Sequence, residues 1–148
     1  MIVKLKHHLL DTAKAIIHIQ KAAYLAEAAL IEYEELPPLK EKIDDIIKSE
    51  EVFLGIYSNE KLSAVLSYCE TENCIEICRL VVIPALFGNG LASKLLHHLS
   101  NDQTNKKTIF VHTAAKNIPA IQLYQKFGFI IKNSFVLADG LTLVKLEK

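Results

Sequence analysis

The sequence predicts a mixed α+β fold. We expect one domain over residues 1–148, built on a central, mostly antiparallel sheet of about seven strands flanked by about four helices. Three observations carry that prediction. Apolar, β-branched runs recur at hairpin spacing between Val52 and Ile83 and again between Phe129 and Leu146. Two helical stretches precede the first set, and a strand, glycine loop, helix and strand in succession follow it as a crossover unit. The chain has 148 residues, 51% of them hydrophobic, which is enough apolar material for one core and leaves no room for a second catalytic module.

Taken in order, Ile2 to Lys6 reads as a short strand, and Asp11 is placed to cap a helix running to about Leu30. Along it Ala15, Ile19, Ala22, Ala26 and Ala29 form the stripe expected to be buried, while Gln20, Tyr24 and Glu27 form a second, more polar one. The segment Glu32 to Pro38 breaks the helix, because two prolines remove backbone donors and force extended backbone ahead of them. Leu39 to Lys48 resumes as a short amphipathic helix. Val52 to Tyr57 and Leu62 to Tyr68 are strands joined by a turn at Ser58 to Glu60, and a third strand follows from Ile75 to Ile83. After Pro84 come the loop Phe87-Gly88-Asn89-Gly90, a helix from Leu91 to about Asn101, a strand from Thr108 to His112 and a helix from Asn117 to Phe127. Phe129 to Leu137 and Leu141 to Leu146 close the sheet as a hairpin around Ala138-Asp139-Gly140.

Charge and composition exclude several classes of function. Lys and Arg together number 17 and so do Asp and Glu, so no net field draws phosphate backbones or anionic membranes; neither nucleic acid nor membrane is an expected partner. The longest apolar run, Leu80 to Phe87, is too short to span a bilayer and contains Pro84, and the first residues lack the apolar region of a cleavable leader. A soluble, cytoplasmic protein is the expectation. Cys69, Cys74 and Cys78 are odd in number and lack a CxxC pair, which points to reduced, buried thiols rather than a disulfide framework or a zinc site. His97 and His98 are adjacent on one helix, and His7, His18 and His112 have no ligand spacing, so no metal is expected.

The glycine loop is the first feature that carries chemistry. Glycines at 88 and 90 let the backbone approach a ligand closely, and the free N–H groups of the following helical turn point outward with the positive end of the helix dipole. Phosphate or pyrophosphate suits such a site, although a glycine turn before a helix also serves as a plain connector. Two familiar phosphate motifs fail: Ala92-Ser93-Lys94 lacks the Gly-Lys-Ser/Thr order of a P-loop, and Phe110 to His112 stand where a dinucleotide fold carries its acidic residue.

These residues resemble the GNAT superfamily of acyl-CoA-dependent N-acetyltransferases. Two motifs in the right order carry the resemblance: the pyrophosphate loop, which falls on Phe87, Gly90 and Ala92, and the Asn, Ala, Tyr and Gly-Phe pattern of Asn117, Ala120, Tyr124, Gly128 and Phe129. Together they span Ile75 to about Ile131, and the order of elements before them is also similar. Phe87 departs from the pattern, since the family usually has Arg or Gln there. The backbone cradle Gly88, Asn89, Gly90, Leu91, Ala92 and Ser93 remains, with Lys94 nearby.

The resemblance implies acetyl-CoA as cosubstrate and acetyl transfer to a primary amine by direct transfer in a ternary complex, the acceptor being a small molecule or a peptide. It further implies that Leu80, Val81 and Val82 offer backbone groups to the cofactor, that Asn117 binds it, and that Tyr124 is the general acid reaching its sulfur. The spacing of Asn117 and Tyr124, seven residues, puts both on one helix face. Glu76 occupies a position where some members place a catalytic carboxylate; alternation puts it on the face of Cys78, Leu80 and Val82, and the rival reading is an edge carboxylate paired with a lysine or with solvent. Arg79 then points to the opposite face as a surface or cross-strand partner. By the same resemblance Gln20, Tyr24 and Glu27 contribute to the acceptor pocket, beside the acidic turn Glu32, Glu34 and Glu35. The competing class is an acyl-CoA-binding sensor or interaction module without turnover. A homodimer is left open by the late hairpin, which offers an edge for pairing.

Overall fold

The computed structural model describes residues 1–101 and 107–148. Among them seven strands form one sheet in the order β1-β2-β3-β4-β5-β7-β6. The strands are β1 (Ile2–Lys4), β2 (Val52–Ser58), β3 (Lys61–Glu70), β4 (Cys74–Val82), β5 (Thr108–Ala114), β6 (Ile130–Val136) and β7 (Thr142–Glu147). Four helices pack on them: α1 (Leu10–Ile31), α2 (Ile43–Lys48), α3 (Leu91–Asn101) and α4 (Ile118–Lys126). Every strand pairing is antiparallel except β4 with β5, as the crossover through α3 requires.

Two apolar layers sandwich the sheet. On one face α1 and α2 bury Ala13, Ile16, Ile19 and Ile46 against Phe53, Val65 and Val81. On the other, α3 and α4 bury Leu95, Leu96, Leu99 and Ile121 against Leu54, Leu66, Ile77 and Leu146. A third, smaller cluster of Ala28, Ile31, Leu36 and Ala114 joins the end of α1 to the end of β5. Each fully enclosed aliphatic or aromatic side chain contributes about 1.5 to 3 kcal/mol by leaving water.

α1 starts one residue before Asp11. Leu9 is the N-cap with no side-chain cap bond, so Asp11 instead lies in the first turn, where its charge complements the helix dipole. The helix stops when Glu32 turns left-handed at φ 56° and sends its N–H back to the Ala28 carbonyl. Both stripes of α1 turn partly inward. Ile19 is buried as expected, but Ala29 is exposed and Ala15, Ala22 and Ala26 are half-buried, while Gln20 of the polar stripe is fully enclosed and Tyr24 and Glu27, also half-buried, line the cavities described below. Alanine and leucine tolerate either side of a helix, and here the polar stripe faces the sheet because the sheet supplies partners for it.

One irregularity in β4 reorganises the site. Ser67 pairs with Arg79 and Tyr68 pairs with Ile77, so Cys78 is an extra residue bulged out of the ladder. Alternation therefore changes phase at this point. Ile75, Ile77, Leu80 and Val82 share the α3/α4 face, whereas Arg79 and Val81 lie under α1 and α2. This corrects two expectations: Glu76 does not share a face with Leu80 and Val82, and Arg79 is buried rather than on the surface. The bulge also holds Cys78 outward beside Cys69, so both thiols are exposed and Cys74 is half-buried, against the expectation of buried cysteines.

Candidate active site

The sheet splits between its two parallel strands. β4 and β5 are bonded only from Cys74–Thr108 to Ile77–Val111, where the bulge begins, and β5 continues with β7 as far as Ala114–Leu143. Beyond Ile77 the β5-facing edge of β4, from Cys78 to Val82, has no strand beside it among the described residues. Two cavities open at this split.

The first cavity, about 630 Å³, runs from the split to the glycine loop, with Tyr24 and Glu27 of α1 on one side and Asn117 and Ala120 of α4 on the other. Its walls include Leu80, Val81 and Val82, then Phe87, Gly88, Gly90, Leu91, Ala92 and Ser93. Gly88 and Gly90 adopt φ of 81° and 76°, which disfavour any residue with a Cβ, and a Cβ at either would extend into open space. Lys94 makes the first helical bond, to the Gly90 carbonyl; the N–H groups of Leu91, Ala92 and Ser93 find no acceptor among the described residues. Asn89 is the loop residue that does not line the cavity: its side chain amide donates to the Leu86 carbonyl at 3.0 Å and holds the turn closed. Phe87 is half exposed on the cavity rim.

The second cavity, about 260 Å³, lies on the other side of the split. Leu36 and Pro38 from the segment after α1, Leu141 just before β7 and Leu143 within it give the cavity an apolar roof, with Cys78, His112 and Thr113 on the strands beneath. A hydrogen bond from the Tyr33 hydroxyl to Asp139 ties the end of α1 to the β6–β7 turn across this roof. The two cavities meet at Tyr24, Glu27, Leu80 and Asn117, which line both.

Tyr124 faces the second cavity from α4, buried at 4% exposure with its ring 5.4 Å from that of Phe129. Burial, and then the nearby Glu27 carboxylate, push its phenol well above its ordinary value, so the hydroxyl keeps its proton at every physiological pH. Tyr24 shifts the same way for the same two leading reasons. Asn117 caps α4, accepting from the Ala120 N–H at 3.2 Å, and its Nδ2 donates to Glu27 Oε1 at 2.7 Å. Burial raises the Glu27 carboxyl above the ordinary carboxylate range, against the opposing pull of that hydrogen bond.

Two predicted site residues lie elsewhere. Glu76 lines neither cavity; it sits where β4 is still paired to β5, half exposed, with His112 Nδ1 3.9 Å away. Gln20 is enclosed in a buried polar cluster. Its amide donates to the Pro38 carbonyl and to Glu41, and its Oε1 accepts from Arg79 at 2.9 Å. Arg79 is the hub of this cluster. It forks onto Glu41 and onto both oxygens of Glu51 and lies over the Phe53 ring, while Ser67 donates to Glu51. Burial works against the charge of Arg79, but Glu51 and Glu41 outweigh it and hold the guanidinium protonated. The signal for this hub was a single arginine among the apolar residues Ile77, Leu80, Val81 and Val82 of β4, with glutamates at 41 and 51 upstream. Leu36, Leu141 and Leu143 carried no signal at all, because only folding brings them over the split.

A sheet with one parallel pair forced open by a bulge, and a glycine loop aimed into the opening, has known counterparts. Residues 13–129 match the Acetyltransferase (GNAT) family. The chain belongs to that family. Among curated proteins, UPF0157 protein YqkA of Bacillus subtilis is 37% identical over 143 residues, which is 97% of this chain and 42% of that protein, so the chain spans about two-fifths of the relative's length. Solved GNAT structures share the fold. The ribosomal-protein-S18-alanine N-acetyltransferase of Escherichia coli superposes with a TM-score of 0.77 at 19% identity, covering 99% of this chain and 91% of that one. The PaiA N-acetyltransferase of Thermoplasma acidophilum, solved in complex with coenzyme A, gives 0.78 at 18% identity, covering 98% and 96%. An N-acetyltransferase of Staphylococcus aureus Mu50 gives 0.75 at 22% identity, covering 100% and 96%. In this GNAT chain no helix among the described residues is long and apolar enough to cross a membrane, and no group of His, Cys, Asp and Glu is placed to hold a metal ion.

Proposed function

We propose that the chain transfers an acetyl group from acetyl-CoA to a primary amine, directly and in a ternary complex. The observation that carries this reading is the pair of cavities meeting at the split between β4 and β5, one with a glycine-loop anion cradle and one small and apolar-roofed. The residues present suit the cosubstrate. The unbonded N–H groups of Leu91 to Ser93 and the open space at Gly88 and Gly90 fit a pyrophosphate, and the free edge of β4 at Leu80 to Val82 fits an extended amide-bearing arm. A β4 N–H at the split is placed to donate to the oxygen that gains charge during acyl transfer. Tyr124 keeps its proton and supplies it to the departing sulfur, and the acceptor amine enters through the second cavity.

Isothermal titration with acetyl-CoA, followed by a thiol-release screen over small amines, amino acids and peptide amino termini, tests the reading. Binding together with amine-dependent thiol release is expected; binding without release for any amine would favour a module that only senses acyl-CoA.

Two substitutions test the cradle. Gly90→Val puts a β-branched side chain at φ 76° and into the path of the phosphates, so affinity for CoA should fall at least tenfold, about 1.4 kcal/mol, by the same titration. Phe87→Arg places a guanidinium on the rim of the first cavity. CoA should bind severalfold tighter at low salt, and the gain should shrink as salt shortens the Debye length to about 8 Å. An affinity unchanged at low salt would mean that the side chain at 87 does not reach the phosphates.

A further inference from the structure

Among the described residues Glu27 is the one carboxylate that lines both cavities. We infer that Glu27 is the acceptor carboxylate: it pairs with the ammonium group of an unbranched aliphatic primary amine that enters beneath Leu36, Leu141 and Leu143, and it takes one proton from it before attack. The inference rests on the acetyl-transfer reading above and names the residue and acceptor class within it.

Position comes first. Glu27 stands where the cosubstrate cleft meets the smaller cavity, so a nitrogen held by its carboxylate lies at the junction where the acyl group would be presented. Availability comes second. Asn117 Nδ2 holds Oε1 at 2.7 Å, and among the described residues no Lys, Arg or His forms an ion pair with Glu27, so Oε2 is left for a ligand. The charged and titratable groups around it do not take that role. On its own helix Tyr24 is a protonated phenol, Tyr124 of α4 is another, and Arg79 of β4 is fully engaged by Gln20, Glu41 and Glu51. His112 of β5 lines the same cavity but points to Glu76. A partly buried carboxylate without a cation is costly, and an arriving ammonium offsets that cost. Size comes third: about 260 Å³ under an apolar roof accommodates a narrow alkyl chain.

The proton and electron balance closes. The ammonium gives one proton to Glu27, and the neutral nitrogen attacks the thioester carbonyl carbon, forming the C–N bond. The C–S bond breaks with its electron pair going to sulfur, which takes the Tyr124 proton. The amide nitrogen's surplus proton restores Tyr124, and Glu27 releases its own to solvent.

Three measurements test this in the full chain. With CoA bound, titration of n-butylammonium should show at least tenfold weaker binding to Glu27→Gln than to the parent. The glutamine can still accept from Asn117, so fold and CoA affinity should persist. With acetyl-CoA, Glu27→Gln should lower kcat for n-butylamine at least tenfold. The acid limb of the parent's kcat/KM profile should lie above the ordinary carboxylate range. Asn117→Ser, which retains an α4 cap but removes the hydrogen bond that favours ionised Glu27, should move that limb to higher pH. Unchanged amine affinity and kcat in Glu27→Gln, or an unmoved limb in Asn117→Ser, would overturn the assignment while acetyl transfer itself stands. A parent that binds CoA but transfers to bulky polycyclic amines and not to n-alkylamines would overturn the acceptor class. A parent that binds no CoA would overturn the acetyl-transfer reading on which both depend.

Discussion

Replacing Arg79 by methionine is expected to destabilise the fold by about 3 to 5 kcal/mol, a large share of the stability of a domain this size. Methionine fills much of the volume but removes the charge that compensates Glu41 and Glu51, and it leaves Gln20 Oε1 without its donor. The arginine is only 8% exposed, so solvent screening does little to soften the loss. The cluster links α1 through Gln20, the segment before α2 through Glu41, the start of β2 through Glu51, β3 through Ser67 and β4 through Arg79 itself. Its loss should therefore loosen the helical layer that carries Tyr24 and Glu27. The effect should depend on pH. Burial alone would raise the Glu51 carboxyl, but the hydrogen bonds from Arg79 and Ser67 outweigh it and hold it below the ordinary carboxylate value. A depressed carboxylate contributes its stability above the unfolded pKa and loses it as pH falls through the folded one. Urea unfolding of parent and Arg79→Met at neutral pH and again in acid should show the difference narrowing in acid. A difference under about 1 kcal/mol at neutral pH would mean that the ion cluster barely outweighs its own desolvation.

Tyr124→Phe should leave structure and CoA affinity intact and lower kcat by about a hundredfold, near the lower end of the usual range for general acid catalysis. The ring keeps its place against Phe129 and only the hydroxyl is removed. Because the phenol is held protonated by burial and by Glu27, the parent should show no basic limb from this residue within the physiological range. Single-turnover kinetics separate the outcomes. A fall in the chemical step with unchanged CoA binding marks a group used in the transition state. An unaltered rate where chemistry limits turnover would leave Tyr124 as a packing residue on α4.

The strands, the crossover and three of the four helices were legible in the sequence because each rests on local information; the helix expected over Leu39 to Lys48 forms only from Ile43, after a tight turn at Pro37–Lys40. Alternating β-branched runs, paired prolines after α1, and glycines at 88 and 90 dictate backbone geometry whatever surrounds them. The GNAT motifs at Gly90, Ala92, Asn117 and Tyr124 were legible for the same reason, since each lies within one loop or one short helix.

What the linear pattern could not yield is which face a side chain takes once the ladder is irregular. The bulge at Cys78 arises from pairing with β3, so it turned Arg79 under α1 and moved Glu76 off the face of Leu80 and Val82 without any mark in β4 itself. Helix faces were ambiguous in a related way. An alanine-rich helix offers two plausible stripes, and α1 turns Gln20 and Glu27 inward as well as Ile19 because the Arg79 cluster and Asn117 supply hydrogen-bond partners for those two polar groups. The sequence by itself determined the backbone framework and the glycine cradle; tertiary structure alone decided which carboxylate stands at the split, because burial of a charge is settled by distant partners and not by neighbours in the chain.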